Sequence, residues 1–345
     1  MIRGTIHSLN PDKSEANKLM PTQPTTTPVL AINDLRTWFH TADGLAKAVD
    51  GVSYHVNSGE TLGVVGESGC GKSVTALSIL RLIPTPPGEI VSGEIRLNGQ
   101  DILALPLNSM RRIRGNRVSM IFQEPMTSLN PVFTIGYQLA KIFTLHRGAT
   151  RKEARQQSLA ILEACEIPSP ARILKAYPHQ LSGGMRQRVM IAMAIGCNPD
   201  VLLADEPTTA LDVTIQAQIL DLLLKLQQRM GMALVLITHD LGVVANFARR
   251  VVVMYAGKKV EEAPVDTLFR SPGHPYTRAL LQSVPVLGRN EKFLKEIKGM
   301  VPPPFQEIKG CRYARRCSEA EDACRRVDPP LKTIAPGHLV ACLKR

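Results

Sequence analysis

From Val29 onward, short unbroken apolar runs alternate with longer stretches in which apolar residues return every three or four positions. "TLGVVG" (61–66) precedes "KSVTALSILRLI", "VLLADEP" (201–207) precedes "VTIQAQILDLLLKLQQRM" (213–230), and "ALVLITH" (233–239) follows. Strands covered on both faces read as continuous apolar runs, and their alternation with helices predicts a parallel sheet with helical crossovers. Residues 134–198, which include "RKEARQQSLAILEACEI", read as mostly helical and interrupt the series, as an inserted helical subdomain would. Past residue 270 the pattern changes again. "SPGHPYTRALLQSV" opens a helix, "VPPPF" breaks the chain, and a tail follows that holds Cys311, Cys317, Cys324 and Cys342.

Length and composition narrow the class. The 345 residues suffice for two domains, or for one large domain with an appendage. A composition 44% hydrophobic and 21% charged is that of an ordinary globular protein, and no apolar run approaches the roughly 18 residues of a membrane span. Residues 1–27 lack the apolar centre of a secretory signal and read as a disordered leader. The cytoplasm is then the expected compartment, where stable disulfides are rare. A net charge of +12 suits nucleic acid or an anionic membrane surface. That charge is not blocky: "RRIRGNR" is short, and no basic patch is interleaved with aromatics, so a solvated basic face without a nucleic-acid partner is expected.

The chemistry begins at "GESGCGKS" (66–73), a G-x-x-x-x-G-K-[ST] pattern set between an apolar strand and a helix. Glycines let the backbone wrap phosphate oxygens, and successive N–H groups at a helix start supply donors. Lys72 can reach the β- and γ-phosphates, and the Ser73 hydroxyl can ligate Mg²⁺. Cys70 lies at the helix start, where a lowered thiol pKa is expected. "VLLADEP" then delivers Asp205, to hold Mg²⁺, and Glu206, to polarise an attacking water as general base.

"LSGGMRQR" (181–188), about twenty residues before that strand, resembles the signature motif of ATP-binding cassette (ABC) ATPases. The resemblance spans roughly residues 29–270 and implies the following roles. Phe39, with Trp38 as rival, stacks on adenine, and Gly66, Glu67, Ser68, Gly69, Cys70, Gly71, Lys72, Ser73 and Val74 bind ATP. Gln123 is the Q-loop, Ala210-Leu211-Asp212 the D-loop and His239 the switch histidine, so that Glu206, His239 and Gln123 are catalytic while Ser73, Gln123 and Asp205 take Mg²⁺. Leu181, Ser182, Gly183, Gly184 and Gln187 act on the ATP of an opposing subunit, which makes the ATPase a head-to-tail dimer. The expected fold is an α/β P-loop NTPase with an inserted helical subdomain (about 124–198), an antiparallel β subdomain and a small Cys-rich C-terminal domain. Residues 28–270 would form the ATPase and 271–345 the C-terminal domain.

"FQEPMTSLNP" (122–131) and "HPYT" (274–277) are similar to segments of the ATPase subunits of bacterial dipeptide, oligopeptide and nickel importers. That likeness implies two transmembrane permease subunits, an extracytoplasmic solute-binding protein and a second ATPase subunit, paralogous or identical. It also implies a peripheral position on the cytoplasmic face of the membrane. The segment after Gln123 would receive a permease coupling helix. ATP hydrolysis would drive import of di- and oligopeptides; nickel or another small solute, or a soluble non-transport ABC ATPase, are the alternatives.

The tail cysteines are spaced C-x5-C-x6-C-x17-C, without the tight knuckles of structural zinc sites. Four thiolates also suit an iron–sulfur cubane, and Arg312, Arg315, Arg316, Arg325 and Arg326 would stabilise them, so the residues alone leave zinc and iron–sulfur open. The importer resemblance implies a 4Fe–4S cluster on Cys311, Cys317, Cys324 and Cys342, although Ser318 stands where the family often has Pro. In that case the tail is an appendage apart from the ATP chemistry.

Overall fold

The computed structural model describes residues 27–123, 128–209, 211–283 and 296–345; the leader up to residue 26, residues 124–127 of the segment after Gln123, and Ala210 lie outside them. Four strands, β1 (Leu30–Thr41), β2 (Gly44–Val56), β4 (Gly88–Leu97) and β5 (Gln100–Asp101), make an antiparallel sheet in the order β2-β1-β4-β5. A second sheet contains β3 (Thr61–Val65), β6 (Val118–Ile121), β7 (Val201–Asp205), β8 (Ala233–Thr238), β9 (Arg250–Tyr255), β10 (Lys258–Pro264), β11 (Lys332–Ala335) and β12 (His338–Val340). Its order is β11-β12-β10-β9-β3-β8-β7-β6. Pairing is parallel from β6 through β9 and antiparallel beyond. The three apolar runs of the sequence are β3, β7 and β8, and every one of their residues is buried, as strands covered on both faces must be.

Between the two sheets lies one core, in which Leu30, Val49 and Tyr54 meet Val64, Val235 and Met254 around α1 (Lys72–Ile79). After α2 (Leu107–Ile113) and β6 come the helices of the middle block: α3 (Ile135–Arg147), α4 (Arg151–Ala164), α5 (Pro170–Ile173) and α6 (Gly183–Ile195). α6 and α7 (Val213–Met230) cover the other face of the large sheet through Leu202, Leu234 and Leu236. Packing dominates the stability of α7. It buries Ile219, Leu220, Leu222, Leu223 and Leu226, at roughly 1.5–3 kcal/mol each, whereas its Asp212 N-cap contributes about 1 kcal/mol.

The tail does not stand as a body apart. After α8 (Leu241–Phe247), α9 (Val265–Arg270), α10 (Pro275–Gln282) and α11 (Asp322–Arg326), strands β11 and β12 extend the large sheet, with Glu261 opposite Val340 and Glu262 opposite Leu339. Tyr313 of the tail shares a core with Tyr255 of β9 and Tyr276 of α10. "HPYT" proves to be a helix start: the Nδ1 of His274 accepts from the Tyr276 N–H at 3.0 Å. The fully buried Glu261 carboxylate accepts from the N–H groups of Gly273 (2.7 Å) and His274 (2.9 Å) and is paired with His338 Nε2 at 2.7 Å.

Candidate nucleotide site

Parallel register assembles the site. Val65 pairs with Thr238, Asp205 with Ile237 and Ile121 with Ala204, so β3, β8, β7 and β6 end together at one edge. The residues that follow, Gly66, His239, Glu206 and Gln123, therefore emerge side by side at the carboxyl edge of the sheet, where open α/β sheets bind ligands.

The glycine loop folds under close constraint. A Cβ on Gly66 would lie 2.2 Å from the Met254 carbonyl oxygen, and one on Gly71, at φ 101°, would lie 2.3 Å from the Ala48 carbonyl oxygen. Ser68 and Gly69 are exposed at the loop tip, and Val74 packs into the core behind it. Lys72 Nζ donates to the carbonyls of Gly66 (2.7 Å) and Glu67 (3.0 Å). The Cys70 expectation is overturned. Burial of that thiol pushes its pKa up and outweighs the favourable charge of Lys72, so Cys70 is a buried neutral thiol and not an activated one.

Asp205 and Glu206 sit in opposite environments. Burial pushes the Asp205 carboxyl up, against a hydrogen bond from Ser73, and its Oδ1 is buried without a hydrogen-bond partner. A desolvated carboxylate beside the Ser73 hydroxyl, with one oxygen unmatched, is a donor set that fits Mg²⁺. Glu206 has the left-handed φ of 45°, and its N–H donates to the Ile237 carbonyl at 2.8 Å. Its Oε1 meets His239 Nδ1 at 2.9 Å, while Oε2 accepts from Gln123 Nε2 (3.0 Å) and Thr209 Oγ1 (2.8 Å). Burial raises this carboxyl, yet the hydrogen bonds from His239 and Thr209 and the charges of His239 and Lys72 outweigh it and hold the pKa below the usual glutamate range.

No sequence motif singles out Thr209. Its only signal is a hydroxyl three residues after an acid in a tight turn, where the Thr209 N–H also returns to the Glu206 carbonyl at 3.1 Å. Thr209→Val removes one of the bonds that lower the Glu206 pKa. A base works deprotonated, so the acid limb of the turnover-against-pH profile is expected to move to higher pH in the variant. Phosphate-release rates across the acid range check this; an unmoved limb would separate Thr209 from the base.

The signature residues form a second group. Ser182 caps α6 by accepting from the Met185 N–H at 3.4 Å, and Leu181 is buried behind it. Positions for a Cβ on Gly183 and Gly184 lie 3.5 Å from Leu211 and 3.0 Å from Ile215, so the glycines pack against the segment that opens α7. Gln187 is buried and its Nε2 donates to the Pro207 carbonyl, tying α6 to the turn after Glu206. Asp212 accepts from the Ile215 N–H at 2.9 Å. Phe39 and Trp38 are both half-buried: Phe39 sits beside Ile83 and Gly88, and the Lys47 ammonium lies 5.2 Å over the Trp38 ring.

The four tail cysteines come together, since Cys311, Cys317, Cys324 and Cys342 are free and line one pocket with Tyr313 and Leu343. Among the described residues, however, no three His, Cys, Asp or Glu side chains are arranged to hold a single metal ion, zinc included. Burial, with the other three thiols adding to it, pushes Cys311 up to about 11 and also raises Cys317. Arginine stabilisation of these thiols, expected from the sequence, fails for two of the five residues. Arg312 is spent on Asp50 and the Ala256 carbonyl, and Arg316 on Glu67 of the glycine loop. The tail thus reaches the phosphate-binding edge instead of standing apart from it.

Comparison with known proteins agrees with this geometry. Residues 49–209 match the family described as "ABC transporter", and residues 260–324 match "Oligopeptide/dipeptide transporter, C-terminal region". The chain is 52% identical to a probable peptide ABC transporter ATP-binding protein of Sinorhizobium fredii, over 94% of this chain and 97% of that one. It is 51% identical to the oligopeptide transport ATP-binding protein AppD of Bacillus subtilis (91% and 96% covered) and 47% identical to the dipeptide transport ATP-binding protein DppD of Escherichia coli (91% and 96%). Among solved structures, the dimeric ATP-binding cassette MJ0796 in a post-hydrolysis state with ADP and Pi superposes with a TM-score of 0.61. That match is at 28% identity and covers 68% of this chain and 98% of the other.

Proposed function

The chain belongs to the ATP-binding subunits of peptide ABC transporters, and from that premise we propose how its residues hydrolyse ATP and what its tail holds. It is an ATPase that powers peptide import. Among the described residues no helix is long and apolar enough to cross a membrane.

Glu206 carries the catalytic reading, because three neighbours aim its carboxylate beside the phosphate loop. ATP lies along the Gly66–Val74 loop with Lys72 on its β- and γ-phosphates and Phe39 against adenine. Glu206 takes the proton of an attacking water, His239 and Gln123 orient that water and the γ-phosphate, and the bond from the γ-phosphorus to the leaving ADP oxygen breaks. Ser73, Gln123 and Asp205 would hold Mg²⁺, which supplies charge neutralisation on the phosphate oxygens. Ser182, Gly183 and Gly184 of one subunit close on the ATP of the other, backed from within by the buried Leu181 and Gln187 and with Asp212 between the subunits, so nucleotide favours the closed dimer and drives the shift. The partners are a second ATPase subunit, two permeases whose coupling helix docks after Gln123, and an extracytoplasmic solute-binding protein. The complex sits at the cytoplasmic face.

Cys311, Cys317, Cys324 and Cys342 would hold a 4Fe–4S cluster, a reading supported by the four free thiols that line one pocket. Such a cluster would supply a cross-link between the two halves of the tail. Two measurements test these readings. Proteoliposomes holding the chain with its permease pair and second ATPase, supplied with the solute-binding protein, should take up a tripeptide with ATP; uptake of Ni²⁺ but not peptide would overturn the peptide assignment. Anaerobically purified chain should contain iron and sulfide in equal amounts, and their absence would remove the cluster.

A further inference from the structure

Glu67, the second residue of the glycine loop, is held from outside the ATPase core. Its backbone N–H donates to the Tyr276 hydroxyl at 2.9 Å, and its Oε1 accepts from Arg316 Nη1 at 2.9 Å. Its carbonyl is one of the two that anchor Lys72. One residue therefore links the C-terminal region directly to the lysine that must reach the phosphates. We propose that Tyr276 and Arg316 are positioning residues for the phosphate loop, through which the cysteine-lined tail sets the affinity for ATP. The inference rests on the ATP-binding reading above.

Both residues are themselves rigidly placed, as a strut must be. Tyr276 is fully buried, with its ring 4.6 Å from that of Tyr255 and 5.3 Å from that of Tyr313. The backbone beneath it is fixed by the His274 cap and the buried Glu261 carboxylate. The Arg316 side chain is only 5% exposed and lies over the rings of Tyr255 (5.7 Å) and Tyr313 (6.0 Å). It also donates to the carbonyls of Lys298 and Ile297 at 3.0 and 3.3 Å. Tyr313 lines the cysteine pocket and also packs against Tyr276 and Arg316, so a change in how that pocket is filled reaches the residues that grip Glu67 through its ring. A second contact works alongside: the Gly257 N–H, in the β9–β10 turn, donates to the Cys70 carbonyl at 2.9 Å, and Arg312 holds the neighbouring Ala256 carbonyl. The loop is thus supported at both its entry and its end.

A buried hydrogen bond lost to an isosteric change costs roughly three- to tenfold, and a buried charged one roughly ten- to a hundredfold. In the full chain, purified anaerobically, Tyr276→Phe is expected to raise the ATP Kd and KM by roughly the first factor and Arg316→Met by roughly the second. kcat at saturating ATP should stay within about twofold, since neither residue touches the reacting atoms. Glu67→Gln should raise the ATP Kd as Arg316→Met does, and the Glu67→Gln/Arg316→Met double variant should be no weaker than the worse single, because the two act as one pair. Tyr276→Phe keeps the aromatic packing, so its thermal midpoint serves as the control for folding. Unchanged ATP Kd in both Tyr276→Phe and Arg316→Met would overturn the proposal, as would a fall in kcat with KM unmoved. If the unmutated chain itself fails to bind ATP, the nucleotide reading fails instead.

Discussion

Glu206→Gln is expected to bind ATP as tightly as the parent and to lose turnover by a factor on the order of 10²–10⁴, the usual worth of a positioned general base. The amide keeps the size and place of the carboxylate at the end of β7, so the loop and the closed dimer are left intact. What it loses is a lone pair basic enough to take a proton from water. In the parent, His239 and Thr209 hold the pKa of the carboxyl below the usual glutamate range, which keeps it ionised at neutral pH. Phosphate release and equilibrium nucleotide binding, measured on the same preparation, check the expectation. Hydrolysis at the parent rate would remove Glu206 from the role of base and return it to a structural one, as the acceptor that gathers Gln123, Thr209 and His239.

Gly71→Ala carries the second large effect, and here the cause is steric. Gly71 stands at φ 101°, a conformation that costs an L-residue about 1–2 kcal/mol, and its added Cβ would meet the Ala48 carbonyl oxygen at 2.3 Å. That oxygen is backbone of β2, so the clash cannot be relieved by rotating a side chain. The loop must move, and with it the N–H groups ahead of Lys72. ATP affinity is expected to fall by more than roughly a hundredfold, with a destabilisation of about 2–4 kcal/mol in the same variant. Gly59→Ala is a fitting control, because a Cβ there meets nothing within 4 Å although its φ is also positive, at 68°. A Gly71→Ala chain that binds ATP normally would show that β2 yields, and the loop would not be set by its neighbour.

Much of the site is legible in the amino-acid sequence. The glycine loop, the Asp-Glu pair, the signature and the switch histidine each stand next to a strand or helix whose apolar pattern is plain, and β7, β8 and α7 span Val201–Asp205, Ala233–Thr238 and Val213–Met230 as the pattern indicates. Local sequence decides these because a strand buried on both faces is built mainly of apolar residues, and because phosphate binding demands contiguous glycine, lysine and serine. Family likeness extends this to the importer class through the 122–131 and 274–277 segments, and whole-chain relatives at 47–52% identity bear it out.

Three things are decided only by the tertiary structure, and each depends on residues far apart in sequence or on the packing around them. Cys70 reads as an activated thiol from its helix start, but desolvation inside the packed loop prevails over the dipole and Lys72. Thr209 has no motif, and its hydroxyl matters because the turn after β7 folds it back onto Glu206. The tail looks like an appendage in sequence, since 249 positions separate Arg316 from Glu67. Pairing of β12 with β10 brings it against the loop, and a guanidinium buried against two tyrosine rings needs a carboxylate there. Periodicity and contiguous motifs encode elements and their chemistry. Which buried group meets which is set by strand order and desolvation, and neither is written in any local stretch of the chain.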